Sequence, residues 1–172
     1  PRVLLLRHGA VASHQGDSPL TRAGRQQSDR GGRKLAAAGL GRIKVLTSAT
    51  QRARQTASLL VHGVTSADPS VHVSGPSESF ALRNPDLYLA GERVDMVSSA
   101  RAFTEQVGGL TEGDVLGVPF FARFLAAPDR IGWWLHHDHP PGEDAADVAR
   151  RILAFGASLR ALTWPKPETV MG

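Results

Sequence analysis

The chain contains no cysteine. That absence removes disulfide bonds, thiolate metal sites and thiol nucleophiles together, and it suits a reducing cytoplasm, which is where we expect the protein to act. Lysine is scarce too, standing only at Lys34, Lys44 and Lys166 among twenty basic residues. The isoelectric point near 10.3 therefore overstates the basicity, because the net charge is only +4 and arginine leaves little to titrate between neutral and strongly alkaline pH. Aromatic residues make up 6% of the chain and no basic run interleaves with them, so we expect no nucleic-acid partner. No apolar stretch approaches the ~20 residues of a membrane span, the opening residues read as a strand rather than a signal peptide, and we expect no membrane partner. What remains, 172 residues at 41% hydrophobic, is enough for one core of α/β type.

Three segments carry chemistry. Val3, Leu4, Leu5 and Leu6 form an apolar run of strand length that ends on Arg7, His8 and Gly9. Ligands of α/β proteins sit beyond the carboxyl ends of parallel strands, so this strand delivers a cation, an imidazole and a permissive backbone to a binding edge. Downstream come Ser18-Pro19-Leu20-Thr21-Arg22-Ala23-Gly24-Arg25-Gln26-Gln27, with Thr21 placed to cap a helix, and then Ser48-Ala49-Thr50-Gln51-Arg52-Ala53-Arg54-Gln55-Thr56-Ala57, after a strand over 43–47. Phosphoryl transfer needs cations against the spread negative charge, an in-line nucleophile and a proton donor. Arg7 and Arg52 supply planar, permanently charged forks that grip two oxygens at once. His8 supplies an imidazole that is partly neutral near pH 7, with a lone pair for phosphorus. Arg52 falls in the first turn after a strand, where helix amides also favour anions, whereas Arg54 points elsewhere around the helix.

Arg-His-Gly at the first strand end, Leu-Thr-x-x-Gly-x-x-Gln at 20–27 and Ser-x-x-x-Arg-Ala-x-Gln-Thr-Ala at 48–57 together resemble the histidine phosphatase superfamily, which includes cofactor-dependent phosphoglycerate mutase. The resemblance runs over 1–57 and resumes more loosely at 142–162. It implies a three-layer α/β/α sandwich around a mostly parallel sheet, with His8 as the phosphohistidine, no metal and no cofactor. It also implies a carboxylic acid after the third strand to protonate the departing alcohol. Here the Leu-x-Glu of relatives reads Leu82-Arg83-Asn84, so Asp86 is the preferred substitute and Glu78 the other. An asparagine that touches phosphate in relatives has no counterpart; His14 or Gln15 would replace it as a substrate-binding donor.

We expect one domain over 1–172, with 75–141 as a small cap. Within the cap, 91–108 reads as a helix carrying Val94, Val97, Phe103 and Val107, and 114–127 as a second. His136, His137, Asp138 and His139 are metal-ligand types, but neighbours on an irregular loop diverge, and we expect no metal. A last helix is expected over 142–162, with Val148, Ile152, Phe155 and Leu159 on one face. Residues 164–172 look like a turn and the start of a strand. Relatives carry a second histidine at that strand's end, so we expect the natural chain to continue past Gly172 and the C-terminal strand to be incomplete here. The implied function is a phosphohydrolase acting on a small phosphorylated metabolite. A phosphoglycerate mutase-type transfer is the alternative, disfavoured by Asn84, and a non-catalytic phospholigand-binding module is the reading that a missing second histidine favours.

Overall fold

The computed structural model describes residues 2–13 and 17–162. Helix α1 spans Arg22–Ala37, and Thr21 caps it by accepting the Gly24 amide at 3.0 Å. Strand β1 (Arg42–Thr47) leads into helix α2 (Gln51–Ala67), and strand β2 (His72–Glu78) returns parallel to β1, with Arg42 opposite His72 and Thr47 opposite Glu78. The two helices cross with their backbones nearly touching. A Cβ on Gly32 would lie 2.2 Å from the Leu60 carbonyl oxygen, and one on Gly63 would lie 2.2 Å from that of Asp29. Ala36, Val64 and Val71 close a small core beneath them.

The larger core lies in the second half. Strands β3 (Leu87–Leu89) and β4 (Glu92–Val94) form an antiparallel hairpin, followed by short helices α3 (Ala100–Thr104), α4 (Glu112–Gly117), α5 (Pro119–Ala126) and α6 (Arg130–Leu135). Leu87, Leu89, Val94, Phe103, Val115, Phe121 and Phe124 are buried together, with Phe103 and Phe121 edge to face at 4.8 Å between ring centres. Helix α7 (Ala145–Ala161) opens on a capping box of Asp144 and Asp147, close to the expected start.

Three expectations need correcting. Residues 91–108 are not one helix: Ala90 (φ 51°) and Gly91 (φ 85°) make a two-residue turn between β3 and β4, and only Ala100–Thr104 is helical. The helix over 114–127 is two helices, because Pro119 has no amide to continue α4 and instead starts α5. Val3, Leu4, Leu5 and Leu6 do not form a buried strand; their exposure runs from 44% at Val3 to 73% at Leu5, since no described strand lies alongside to complete a ladder. The described residues thus mix helices with two small sheets, β1 with β2 and β3 with β4. The incomplete strand expected over 164–172 lies outside the described residues. No helix among the described residues is long and apolar enough to cross a membrane.

A charge cluster ties β3 to the entrance of α7. Arg83 and Arg93 both grip the Asp86 carboxylate, while Arg151 holds Glu143 through two bonds of 2.8 Å and reaches the Ala81 carbonyl at 2.6 Å. Glu143 in turn accepts the Asp86 amide at 2.8 Å. Hydrogen bonding from Arg83 first, and then from Arg93, outweighs burial and holds the Asp86 carboxyl at about 2, below its ordinary 3.8. The stabilisation is therefore complete above about pH 4 and is lost as pH falls through about 2. Asp86→Asn strands two guanidinium groups, and we predict a loss of about 3 kcal/mol at pH 7, read as a lower urea midpoint. Its deficit against the parent should shrink on going from pH 5 to pH 2; a constant deficit would place the effect outside the ion pairs.

Candidate active site

The turn that carries His8 is fixed by the motifs that follow it. The Gly9 amide donates to Thr56 Oγ1 at 3.0 Å, and the Thr56 hydroxyl donates in turn to the Arg52 carbonyl at 2.8 Å. The Ala10 carbonyl accepts both the amide of Thr21, at 2.9 Å, and its hydroxyl, at 3.1 Å. Gln27 accepts the Ala10 amide at 3.3 Å, and Gln55 accepts the Leu20 amide at 2.8 Å. Contact is close enough to demand glycine on both sides: a Cβ on Gly9 would sit 2.6 Å from the Gly24 carbonyl oxygen, and one on Gly24 would sit 2.2 Å from that of Ala10. Thr21 at the α1 cap, Gly24 and Gln27 on α1 and Thr56 on α2 therefore cradle Gly9 and Ala10, while Gln55 on α2 holds Leu20 beside them. Sequence reasoning quoted these residues as signatures without giving Gln27, Gln55 or Thr56 a task; the signal was their recurrence in the motifs that flank the histidine.

On this cradle His8 Nδ1 lies 2.8 Å from the Gly9 carbonyl oxygen. A carbonyl only accepts, so Nδ1 carries the proton and a neutral His8 holds its lone pair on Nε2. His8 lines a cleft of about 330 Å³ together with Arg7, Gly9, Ala10, Val11 and Gln27. Arg52 stands in the first turn of α2, with its side chain 17% exposed. Its Nη1 lies 3.4 Å from Asp17, while its Nε is buried and has no hydrogen-bond partner among the described residues.

The acid candidates separate clearly. Asp86 sits in the β3 cluster with its side chain 13% exposed and its carboxyl held near 2, so at neutral pH it has no proton to give; the preference for Asp86 as donor is corrected on that ground. Glu78 ends β2 opposite Thr47, is half exposed, and meets Arg54 at 3.1 Å. Arg54 thus joins the first turns of α2 to the strand end rather than standing alone on the surface. His14 and Gln15 lie outside the described residues. Among the described residues no three His, Asp or Glu side chains converge as metal ligands, and His137 stacks on Trp133 at 4.4 Å.

Residues 3–71 match the family model of the histidine phosphatase superfamily, branch 1. The resemblance read from the motifs thus holds over the stretch that carries Arg7, His8 and Arg52. No curated protein matches the chain. Among solved structures, mycobacterial hydrolase 1 is 21% identical over 90% of this chain and 62% of its own, with a TM-score of 0.49. A mycobacterial glucosyl-3-phosphoglycerate phosphatase is 22% identical over 89% of this chain and 60% of its own, also at 0.49. A protein of Thermus thermophilus is 21% identical over 92% of this chain and 71% of its own, at 0.39. The chain spans about three fifths of the length of the two mycobacterial structures.

The cradle makes a specific prediction for Thr56→Val. Valine keeps the shape but leaves the buried Gly9 amide without an acceptor, a loss of about 1–3 kcal/mol. Hydrogen exchange at the Gly9 amide should accelerate at least tenfold; exchange at the parent rate would show that Thr56 does not hold the turn.

Proposed function

We propose that this chain carries the reaction centre of a phosphohydrolase that works on a small phosphorylated metabolite through a phosphohistidine at His8. The observation that carries the reading is the 2.8 Å contact between His8 Nδ1 and the Gly9 carbonyl, which fixes the tautomer with the nucleophilic lone pair on Nε2. In the first step Nε2 attacks phosphorus, the bond from phosphorus to the substrate oxygen breaks, and that oxygen leaves with a proton. In the second step water attacks phosphohistidine and releases inorganic phosphate, restoring the imidazole. Arg7, which lines the cleft, and Arg52 are the proposed cations that offset the charge on the transferring oxygens, so the reaction is written without a metal or cofactor. An oxyanion would also satisfy the Arg52 Nε, which has no partner among the described residues. Glu78 is the proposed proton donor: it stands at a strand end, is half exposed, and is held only by Arg54 among its described contacts. His14 and Gln15 remain the proposed neutral donors to phosphate, and 75–141 the proposed cap. A parallel sheet within three layers and a cytoplasmic setting belong to the same reading.

His8→Ala tests it directly. With p-nitrophenyl phosphate and a panel of phosphorylated metabolites, turnover should fall by at least a thousandfold, roughly 4 kcal/mol of barrier. Acid-labile, base-stable 32P should label the parent and not the variant. Activity within tenfold of the parent would end the phosphohistidine mechanism.

A further inference from the structure

The α2 N-terminus lacks a cap of its own. Thr50 occupies the N-cap position and makes no side-chain bond to the helix. Instead Asp17, thirty-four positions upstream, puts both carboxylate oxygens on the Gln51 amide, at 2.8 and 2.7 Å. One of those oxygens is also 3.4 Å from Arg52 Nη1. Asp17 precedes Leu20 and Thr21 on the strap that binds Gln55 and Ala10, so it belongs to the segment that clamps the His8 turn onto α2.

The geometry of the guanidinium gives this contact a consequence. Nη1 occupies one corner of the plane, and Nε with Nη2 forms the edge away from it, the edge that grips two oxygens of a phosphoryl group side-on. Asp17 takes Nη1, and Nε is left buried and unpartnered. We infer that Asp17 is the positioning residue for Arg52: seated on the Gln51 amide, it holds the Nη1 corner and so presents the Nε–Nη2 edge to a phosphoryl group. This inference rests on the phosphoryl-transfer reading of the same site. It assigns Asp17 a task in anion recognition that is distinct from capping α2, although one carboxylate performs both.

The two tasks are separable. Asp17→Ala removes both, and Thr50→Asn in that background supplies a neutral local cap to α2 without restoring the tether to Arg52. Orthovanadate binding to the full chain, followed by calorimetry beside thermal unfolding, reads both outcomes. The parent should bind orthovanadate, and Arg52→Ala should weaken it. Asp17→Ala should weaken binding about tenfold and lower the melting temperature. Asp17→Ala with Thr50→Asn should recover the melting temperature and keep the weakened binding. In an Arg52→Ala background, Asp17→Ala should cost no further affinity. Asp17→Asn, whose amide oxygen still accepts from Gln51 and Arg52, should fold as the parent does and lose less than the alanine variant. Recovery of affinity by Thr50→Asn, or an undiminished effect without Arg52, would reduce Asp17 to a helix cap and overturn the inference. Parent-like binding by Asp17→Ala, with Arg52→Ala impaired, would overturn it while leaving the phosphoryl-transfer reading standing. A parent that does not bind orthovanadate would overturn both.

Discussion

The hydrogen bond from the Gly9 amide to Thr56 Oγ1 is the constraint on which the site depends. It joins the backbone immediately after His8 to the second turn of α2, and because the Thr56 hydroxyl is committed to the Arg52 carbonyl, one side chain fixes the spacing between the His8 turn and the first turn of α2 that carries Arg52. Such a bond forms only if the turn can lie flat on the helices. Glycine at 9 and 24 permits that, since any side chain at either position would drive into a carbonyl of the other segment. The apolar run before His8 adds little to this fixation: Val3 to Leu6 are exposed, and the turn is held by polar bonds to α1 and α2.

How much of this could be read from sequence divides along the range of the interactions. Thr21 as a cap and α7 with its Asp144 entrance are set by local chemistry, namely a hydroxyl or carboxylate before an apolar period, and each was legible, as was the strand over 43–47; its pairing with β2 is a contact across thirty positions. The hairpin of β3 and β4 was legible in principle. Leu87 and Leu89 are buried while Tyr88 between them is exposed, a period of two, and Gly91 supplies the positive φ that a two-residue turn requires. The spacing of Val94, Val97, Phe103 and Val107 imitated a helical period and masked it. All four face the same core, but from a strand, a connecting loop, a short helix and the residues after it, so burial alone reproduced the spacing.

Asp86 shows the limit from the other direction. In the sequence it is a carboxylate near the expected acid position, next to a turn signal, and nothing local separates it from Glu78. Three dimensions separate them by bringing Arg93 across the hairpin to join Arg83, which converts Asp86 from a proton donor into a fixed anion. Glu143 and Arg151, more than fifty positions away, complete the same cluster. The cluster braces the hairpin against α7, and a carboxyl that serves this purpose is excluded from acid catalysis by the same low pKa that makes it stabilising.

The arginines divide in the same manner. Arg83, Arg93 and Arg151 spend their donors on carboxylates and carbonyls around them, each bridging several acceptors as an ammonium's point charge would not. Arg52 has the same side chain in a different state of satisfaction: one corner is committed to Asp17 and, among the described residues, Nε is without an acceptor. A buried donor left unpaired costs about 1–3 kcal/mol, and a fold that elsewhere satisfies its guanidinium groups through carboxylates had the means to cover this one as well. The uncovered donor belongs to the residue whose carbonyl, through the Thr56 hydroxyl, is tied to the backbone that follows His8. Residue type distinguishes none of these arginines from one another; the count of committed donors does, and it points to the same turn that the histidine occupies.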